Sequence, residues 1–507
     1  MVGSAGMRGR AGAYFRATAI TATLGVASPC MADPAPADVD RLQGELDALR
    51  SQIHAMDSKP VPLTTPVTLA EDDGLTFHGI TLYGVVDMGV SYQSRGTTYN
   101  GDYNPGVEEL VSKNSKSAVW SLTPNGMSTS TIGLKGKERL IDDIDGVFTL
   151  EMGFNPVSGV LSNGPKSVSD NNNTFLTEQT SNGDSSRAGQ IFNGQANAGL
   201  NSQKFGALTF GRHGTPLFDD VMAYDPFGGS NAFSLVGYAG ATAGGGVTED
   251  ARLDDSIKYA WSHGPFRLKA LYQLPGNMNA AGGDDAYYLG MGWDWADLSV
   301  DTIYAHKNEA VAVSSLDSKT ASSASAASAQ AAAYSANPQG LAATVSDNTA
   351  FGAMAKYRLQ PVSLYAGYEH ITYMKPNKPI SAGTAGEGGY VISLVASSSY
   401  TTAKQFHVIW TGIDYAVTGR LKLTGAYYRY IQENYSGLDN GVCMASGQSS
   451  CYGILQLGSI GGDYALSKHF DLYAGVAYSR VDGGYYNGNG YLHNNTVSPM
   501  AGGRFRF

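Results

Sequence analysis

Alternation of apolar and polar residues, repeated in segments of about ten, is the feature that most limits how this chain can fold. In FRLKALYQL, residues 266–274, the first, third, fifth, seventh and ninth positions are apolar or aromatic, and Arg, Lys and Gln lie between them. A side-chain period of two is that of a β-strand with one apolar and one polar face. Residues 145–155 and 351–359 repeat the pattern. The sequence therefore predicts an all-β fold.

The connections between these segments alternate in length. Eight are long and polar or Gly-rich, and seven are short and turn-like, at residues 139–145, 202–206, 262–265, 294–297, 360–361, 416–419 and 466–469. Fifteen connections join sixteen strands. An even number of strands, with both termini on the short-turn side, is typical of a transmembrane β-barrel. We therefore predict a transmembrane, antiparallel, sixteen-stranded β-barrel over residues 75–507.

The composition excludes several other classes of protein. No run of 18 apolar residues occurs, so no membrane-spanning helix is expected. A net charge of −10 argues against nucleic-acid binding, which needs a positively charged surface. The nine histidines are scattered without metal-ligand spacing, so neither a metal nor any other cofactor is predicted. Because no G-x-S-x-G motif is present, an outer-membrane hydrolase is a weak alternative, and we expect no enzyme activity.

Three segments are predicted to precede the barrel. Residues 1–32 have a basic start, a short apolar core and a small residue at the end, which indicate a signal peptide. Residues 33–57 favour a short periplasmic coiled-coil helix, although a single amphipathic helix on the barrel would give the same pattern. Residues 58–74 form a Pro- and Thr-rich linker. The apolar seam of the coiled coil consists of Val39, Leu42, Leu46, Leu49, Ile53 and Met56.

Two cysteines lie close together in a polar, Gly- and Ser-rich connection. Cys443 and Cys451 are eight positions apart. In an oxidising envelope they are expected to form a disulfide within a loop, and the alternative is two free thiols.

Several motifs resemble the strand signatures of Gram-negative general porins, in the same order. They are TLYGVVDMGVSY (residues 81–92), TIGLKGKERL (131–140), NAGLNSQKFGALTFGRH (197–213) and RLDDSIKYAW (252–261). The chain ends in GRFRF, and a terminal Phe such as Phe507 is the family's recognition signal for the barrel insertion machinery. The resemblance covers about residues 75–507.

The resemblance implies a homotrimer embedded in outer-membrane lipid of a Gram-negative bacterium. It also implies a water-filled channel for passive diffusion of ions and small hydrophilic solutes. Because the chain is rich in Tyr, a substrate-specific channel for sugars or organic anions is the alternative. A further alternative is a structural barrel whose coiled coil tethers the envelope, with peptidoglycan as a candidate partner.

The resemblance also implies a constriction. In the family, the third long loop folds into the lumen, and its acids face basic residues on the barrel wall. That loop corresponds to residues 213–251 here. Two wall positions that are arginine in the family are Thr131 and Gly194 in this chain. We therefore predict a mildly cation-selective pore, with the constriction formed by Asp219, Asp220, Asp225, Glu249, Asp250, Arg252 and Lys258.

One position breaks the alternation. Asp255 falls on the apolar face of its strand, beside Ile257. We expect either a bulge in the strand at this point or a position above the membrane.

Overall fold

The computed structural model describes most of the chain from Leu75 onward. The described residues are 75–95, 117–159, 161, 191–236, 252–275, 285–314, 341–377, 385–387, 390–397, 403–435, 452–484 and 493–507. The predicted signal peptide, coiled-coil seam and linker lie outside them, as do Cys443 and Cys451, so these features stay predictions. The contacts divide the chain into two units, Met1–Pro62 and Leu63–Phe507, and only the second contains described residues.

The described residues are almost entirely strands, with a single α-helix, α1, at Pro216–Tyr224. The strands are β1 Leu75–Phe77, β2 Ile80–Gln93, β3 Val119–Pro124, β4 Ser130–Ile141, β5 Ile144–Phe154, β6 Gln195–Ser202, β7 Gly206–Gly214, β8 Arg252–His263, β9 Phe266–Gln273, β10 Ala286–Trp295, β11 Leu298–Ser314, β12 Leu341–Leu359, β13 Val362–Met374, β14 Ala385–Glu387, β15 Tyr390–Ser397, β16 Lys404–Ala416, β17 Leu421–Gln432, β18 Gly453–Ala465, β19 Phe470–Gly483 and β20 Asn495–Arg506.

Sixteen of these strands form a closed ring in which every neighbouring pair is antiparallel. The ring runs from β2 through β4–β13 and β16–β20 and returns to β2. The fold class and the strand number predicted from the sequence are therefore confirmed. All seven short connections also join consecutive ring strands, as expected for the tight turns of an outer-membrane barrel.

One wall strand is interrupted, which the sequence pattern did not predict. The first half of β2 pairs with β4, and its second half pairs with β3. Strands β3 and β4 therefore occupy one position in the wall, broken at residues 125–129. Asn125 has a positive φ of 57°, a conformation that Asn tolerates better than most residues. The break creates a ledge on the inner wall.

The predicted alternation sets which residues face outward. On β9, Phe266 is 57% exposed, whereas the neighbouring Arg267 is 3% exposed. Aromatic pairs lie at both ends of the outer face. Trp293 and Trp295 stack 6.0 Å apart beside a short turn, and Tyr287 and Tyr304 lie 6.1 Å apart nearer the long connections. Such aromatic belts are typical of the two membrane interfaces.

The described helix starts with a well-formed cap. The Thr215 hydroxyl accepts a hydrogen bond from the Phe218 backbone N–H at 3.2 Å, and Pro216 occupies the first turn, where its missing N–H costs nothing. With nine residues, α1 is too short to cross a bilayer, so the described part of the chain contains no helix that could span a membrane.

The ring closes between its first and last strands. The Gly84 N–H donates to the Phe507 carbonyl at 2.9 Å, and the Phe507 N–H donates to the Gly84 carbonyl at 3.1 Å. A Cβ at Gly84 would lie 2.7 Å from the Thr131 carbonyl oxygen and against the Phe507 ring. The terminal Phe therefore extends the closing ladder and also requires a glycine beside it.

Gly84→Val is expected to impair closure of the barrel, because the added side chain has no space. Overpacking of this kind costs about 1–3 kcal/mol. We expect a lower fraction of heat-modifiable, folded protein on gels and a lower urea midpoint in detergent. Gly458→Val is the matched control, because nothing lies within 4 Å of a Cβ at that position. Equal folded fractions and equal urea midpoints for the two variants would contradict the role of Gly84 in closing the barrel.

Candidate functional site

The described part of the third long loop lies inside the barrel and follows its inner wall. Helix α1 packs against β9–β13. Farther along, the Phe233 carbonyl accepts a hydrogen bond from Ser459 of β18 at 2.6 Å, and the Asn231 side chain donates to the Asn125 carbonyl at 2.7 Å. The loop thus passes around the wall from β9 to the ledge between β3 and β4. We call this segment, residues 215–236, the constriction loop.

Apolar contacts hold much of the constriction loop to the wall. Leu217, Val221 and Phe233 are buried in one cluster with inward-facing wall residues, including Trp410 of β16 and Leu457 of β18. The Trp410 indole also donates to the Tyr224 carbonyl at 3.1 Å. An apolar patch on the inner face of a channel must be covered by protein to escape water, and the constriction loop provides this cover.

A buried polar cluster fixes the end of α1. The Tyr224 hydroxyl donates to Asp301 at 2.5 Å, and the Arg267 guanidinium donates to the same carboxylate at 2.8 Å. Arg267 also pairs with Asp294. Because an Arg fork pairs well with carboxylates, one cation bridges two wall strands and the loop. The alternation placed Arg267 inward but did not identify Asp301 or Tyr224 as its partners.

The three described acids of the constriction loop already have partners. Asp219 pairs with Lys258 at 2.5 Å, and Asp220 pairs with Lys269. Asp225 accepts a hydrogen bond from the Tyr428 hydroxyl at 2.5 Å and one from the Gly229 N–H at 2.6 Å. These acids therefore attach the loop to the wall. The charges of Asp219 and Asp220 are paired with lysines, which weakens the basis of the predicted cation selectivity, whereas Asp225 makes no ion pair with another described residue.

Of the remaining predicted constriction residues, Glu249 and Asp250 lie outside the described residues, and Arg252 lies at the loop's exit. The Arg252 guanidinium carbon is 5.3 Å from the centre of the Phe218 ring. Asp255 has a φ of 47°, and the β7–β8 register shifts between Gly211 and His213. The strand is therefore bulged here, which is the first of the two expected explanations for Asp255.

The ledge is held by one buried acid. Asp87 accepts hydrogen bonds from the Met127 and Ser128 N–H groups at 2.8 Å and from the Tyr473 hydroxyl at 2.6 Å. The Ala232 N–H donates to the Gly126 carbonyl at 2.9 Å, so the loop tip rests on the backbone that Asp87 organises. This role of Asp87 depends on a break in the wall that no local sequence pattern indicates.

The opposite side of the lumen is not covered by the described part of the constriction loop. Thr149, Asn197 and Thr209 face inward on β5–β7 and are partly exposed. Nearby, the Tyr83 hydroxyl donates to Glu151 at 3.2 Å, and Glu151 makes no ion pair with another described residue. The passage is therefore bounded by the constriction loop on one side and by a polar wall on the other. Within the described chain, no cluster of His, Cys, Asp or Glu could hold a metal ion.

The carboxyl group of Asp225 gives a test of how the loop is held. Burial raises its pKa to about 6, against the opposing effect of the Tyr428 hydrogen bond. An unfolded Asp has a pKa near 3.9, so the folded protein binds the proton more tightly. The stability contributed by this proton is present below about pH 4 and is lost as the pH rises through about 6. Between pH 4 and 7.5 the free energy of unfolding of the wild type is expected to fall by about 3 kcal/mol because of this group. Asp225→Asn has no carboxyl group at this position, so this part of the fall should be absent.

Unfolding in detergent, followed by tryptophan fluorescence between pH 4 and 7.5, measures this effect. Tyr428→Phe is the companion variant. It removes a hydrogen bond that lowers the Asp225 pKa, so the loss of stability should move to higher pH. The same pH dependence in the wild type and in Asp225→Asn would show that this carboxyl group is not responsible.

Comparisons with known proteins agree with this architecture. The sequence profile of the Gram-negative porin family matches residues 55–484. An outer membrane porin protein of Bordetella pertussis is 28% identical over 201 residues, which are 39% of this chain and 43% of that relative. The match therefore spans less than half of the relative's length.

Two solved structures share the fold at low sequence identity. The anion-selective porin from Comamonas acidovorans has a TM-score of 0.52 at 16% identity, over 84% of this chain and 99% of that one. A loop-deletion mutant of OmpT, an outer membrane protein of Vibrio cholerae, has a TM-score of 0.50 at 14% identity, with the same coverage. The closed sixteen-stranded barrel, the loop in its lumen and the profile match lead to one conclusion: this chain belongs to the Gram-negative porin family and is an outer-membrane β-barrel protein.

Proposed function

We propose that the protein is a homotrimeric channel through which ions and small hydrophilic solutes diffuse passively across the outer membrane. The observation that carries this proposal is the position of the constriction loop. It is attached to the inner wall from β9 to the β3–β4 ledge and leaves the polar side chains of β5–β7 partly exposed. A loop held in this way narrows a barrel without closing it.

The exposed side of the passage suits hydrated solutes. Thr149, Asn197 and Thr209 offer hydroxyl and amide groups that replace water contacts. A pore of this kind needs no chemical step, because a solute crosses if it fits and if its charge is tolerated.

The alternative is a channel dedicated to sugars or organic anions. Such a channel would hold its substrate at a defined site, so flux would saturate. A diffusion pore gives flux that rises linearly with concentration and falls with solute size. Flux into proteoliposomes over a series of sugars and carboxylates separates the two functions.

Assembly is also part of the proposal. Family membership supports the trimer, and a short coiled coil over residues 33–57 would be stable only if the barrels already hold the chains together. Phe507 pairs with Gly84 where the last strand meets the first. We propose that the insertion machinery recognises Phe507 as the assembly signal at this position. We also propose that the N-terminal segment, residues 33–74, contacts peptidoglycan.

Single-channel recording in planar bilayers tests the channel function. We expect conductance steps that arrive in threes and that scale with bulk salt without saturation. Folded, inserted protein that gives no steps would refute the channel function, and steps that arrive singly would refute the trimer.

Glu151→Gln tests the contribution of the polar wall to selectivity. Glu151 is partly exposed, and its described side-chain partner is the Tyr83 hydroxyl, so its charge is available to passing ions. We expect the reversal potential in a KCl gradient to shift towards chloride, by a few millivolts at low salt, because screening weakens the effect at high salt. Asp219→Asn is the comparison, since it would also release Lys258 and should shift the potential further. No shift in either variant would place the selectivity determinants elsewhere.

A further inference from the structure

Polar side chains form a row on the outer face of the barrel, near the long-loop ends of β17, β18 and β19. Arg429 pairs in register with Gln456, and Gln456 pairs with Arg480. The neighbouring residues Tyr428 and Leu457 are fully buried on the inner side of the wall. Because successive side chains of a strand point to opposite faces, the row lies on the outer face. We call Arg429, Gln456 and Arg480 the donor row.

The donor row lies at the height of lipid headgroups. Gln456 is nine positions from Ala465, the last residue of β18 before a short turn. At about 3.4 Å per residue and a tilt of about 40°, nine residues rise about 23 Å. The apolar band of an outer-membrane barrel is about 25 Å tall. The row is therefore at the rim of this band, on the side of the long connections.

The donor row carries one positive charge that no described acid compensates. Arg480 pairs with Asp482 at 2.8 Å through its Nε and one of its two Nη atoms, so the other Nη stays available. Arg429 makes no ion pair with another described residue, and its Nε lies buried without a hydrogen-bond partner. The Gln456 carbonyl oxygen accepts a hydrogen bond from the Tyr427 hydroxyl at 2.8 Å, which leaves its amide group as a donor. The row therefore suits an anion.

A slot between two tyrosines lies directly below the donor row. Gly458 pairs in register with Tyr427 on one side and with Tyr478 on the other. Both tyrosines are exposed, and nothing lies within 4 Å of a Cβ at Gly458. Two residues farther along the strand, Ile460 is 68% exposed. The outer surface of β18 is thus polar at the rim and apolar below it, with an open floor between.

From this arrangement we propose that the outer face of β17–β19 binds a phosphate-bearing lipid of the outer leaflet. The phosphate accepts hydrogen bonds from the donor row, and such charge-assisted bonds are stronger than neutral ones. An acyl chain lies in the slot over Gly458 and contacts Ile460. A lipid joins a phosphate to an apolar chain in the same order in which the surface presents its donors and its slot, whereas free phosphate would contact the donors alone. The proposal does not depend on the channel function.

Native mass spectrometry of the folded protein in detergent, with phosphatidylglycerol added, tests this site. We expect one lipid per chain to bind saturably. Arg429→Gln should raise the dissociation constant about tenfold, which corresponds to about 1.4 kcal/mol, because it removes the uncompensated charge. Gly458→Leu should also weaken binding, because it fills the slot without changing the charge. Arg420→Gln is the matched control, since it removes an exposed arginine at the short-turn end of β17, and its dissociation constant should equal that of the wild type.

The opposite results would overturn the proposal in distinguishable ways. Equal binding by the wild type and Arg429→Gln, or an equal loss in Arg420→Gln, would show that the donor row does not hold the lipid. Wild-type binding by Gly458→Leu would show that the slot is not used. Displacement of the lipid by millimolar inorganic phosphate would indicate a site for free anions. A change in the number of subunits per particle, without loss of lipid, would indicate a contact between copies of this chain.

Discussion

The structure depends on one constraint: within a lipid bilayer, every backbone N–H and C=O group must be paired inside the protein. A sheet can meet this requirement only if it has no free edge, so the first and last strands must join. In this chain they join through β2 and β20, and the final residue completes the ladder with Gly84. Closure in turn fixes a lumen whose walls carry alternate side chains of sixteen strands. The candidate site formed by the described residues lies on that inner face.

The attachment of the constriction loop divides the inner wall into a part that the loop covers and a part that stays open. Apolar wall residues and the Arg267–Asp301–Tyr224 cluster hold the loop on one side. Removal of one member of a buried ion pair typically costs about 3–5 kcal/mol, so this attachment is expected to be firm. Acids that might have created an electric field across the pore instead pair with Lys258 and Lys269. Glu151 on the open wall makes no ion pair with another described residue, so its charge faces the passage.

The barrel and its turns could be predicted from the sequence because these features are local. A period of two and short turn segments are visible within ten or fifteen residues. The partners inside the lumen could not be predicted in the same way. Asp220 and Lys269 are 49 positions apart, and Tyr224 and Asp301 are 77 apart, so their pairing follows only from strand register and from the path of the loop. The break at residues 125–129 and the bulge at Asp255 shift the alternation locally, and no periodic pattern reports where such shifts occur.

Solutes are therefore expected to pass along β4–β8, while the wall beneath the constriction loop stays covered. Chemical modification of single cysteines, introduced after the native cysteines are replaced by serine, tests this division of the lumen most directly. Thr149 faces inward on the open wall, and Ala426 faces inward beneath the loop. A charged thiol reagent added during recording should sharply reduce the conductance of Thr149→Cys and leave that of Ala426→Cys unchanged. Rapid block at Ala426→Cys, with none at Thr149→Cys, would contradict the claim that solutes pass along the open wall.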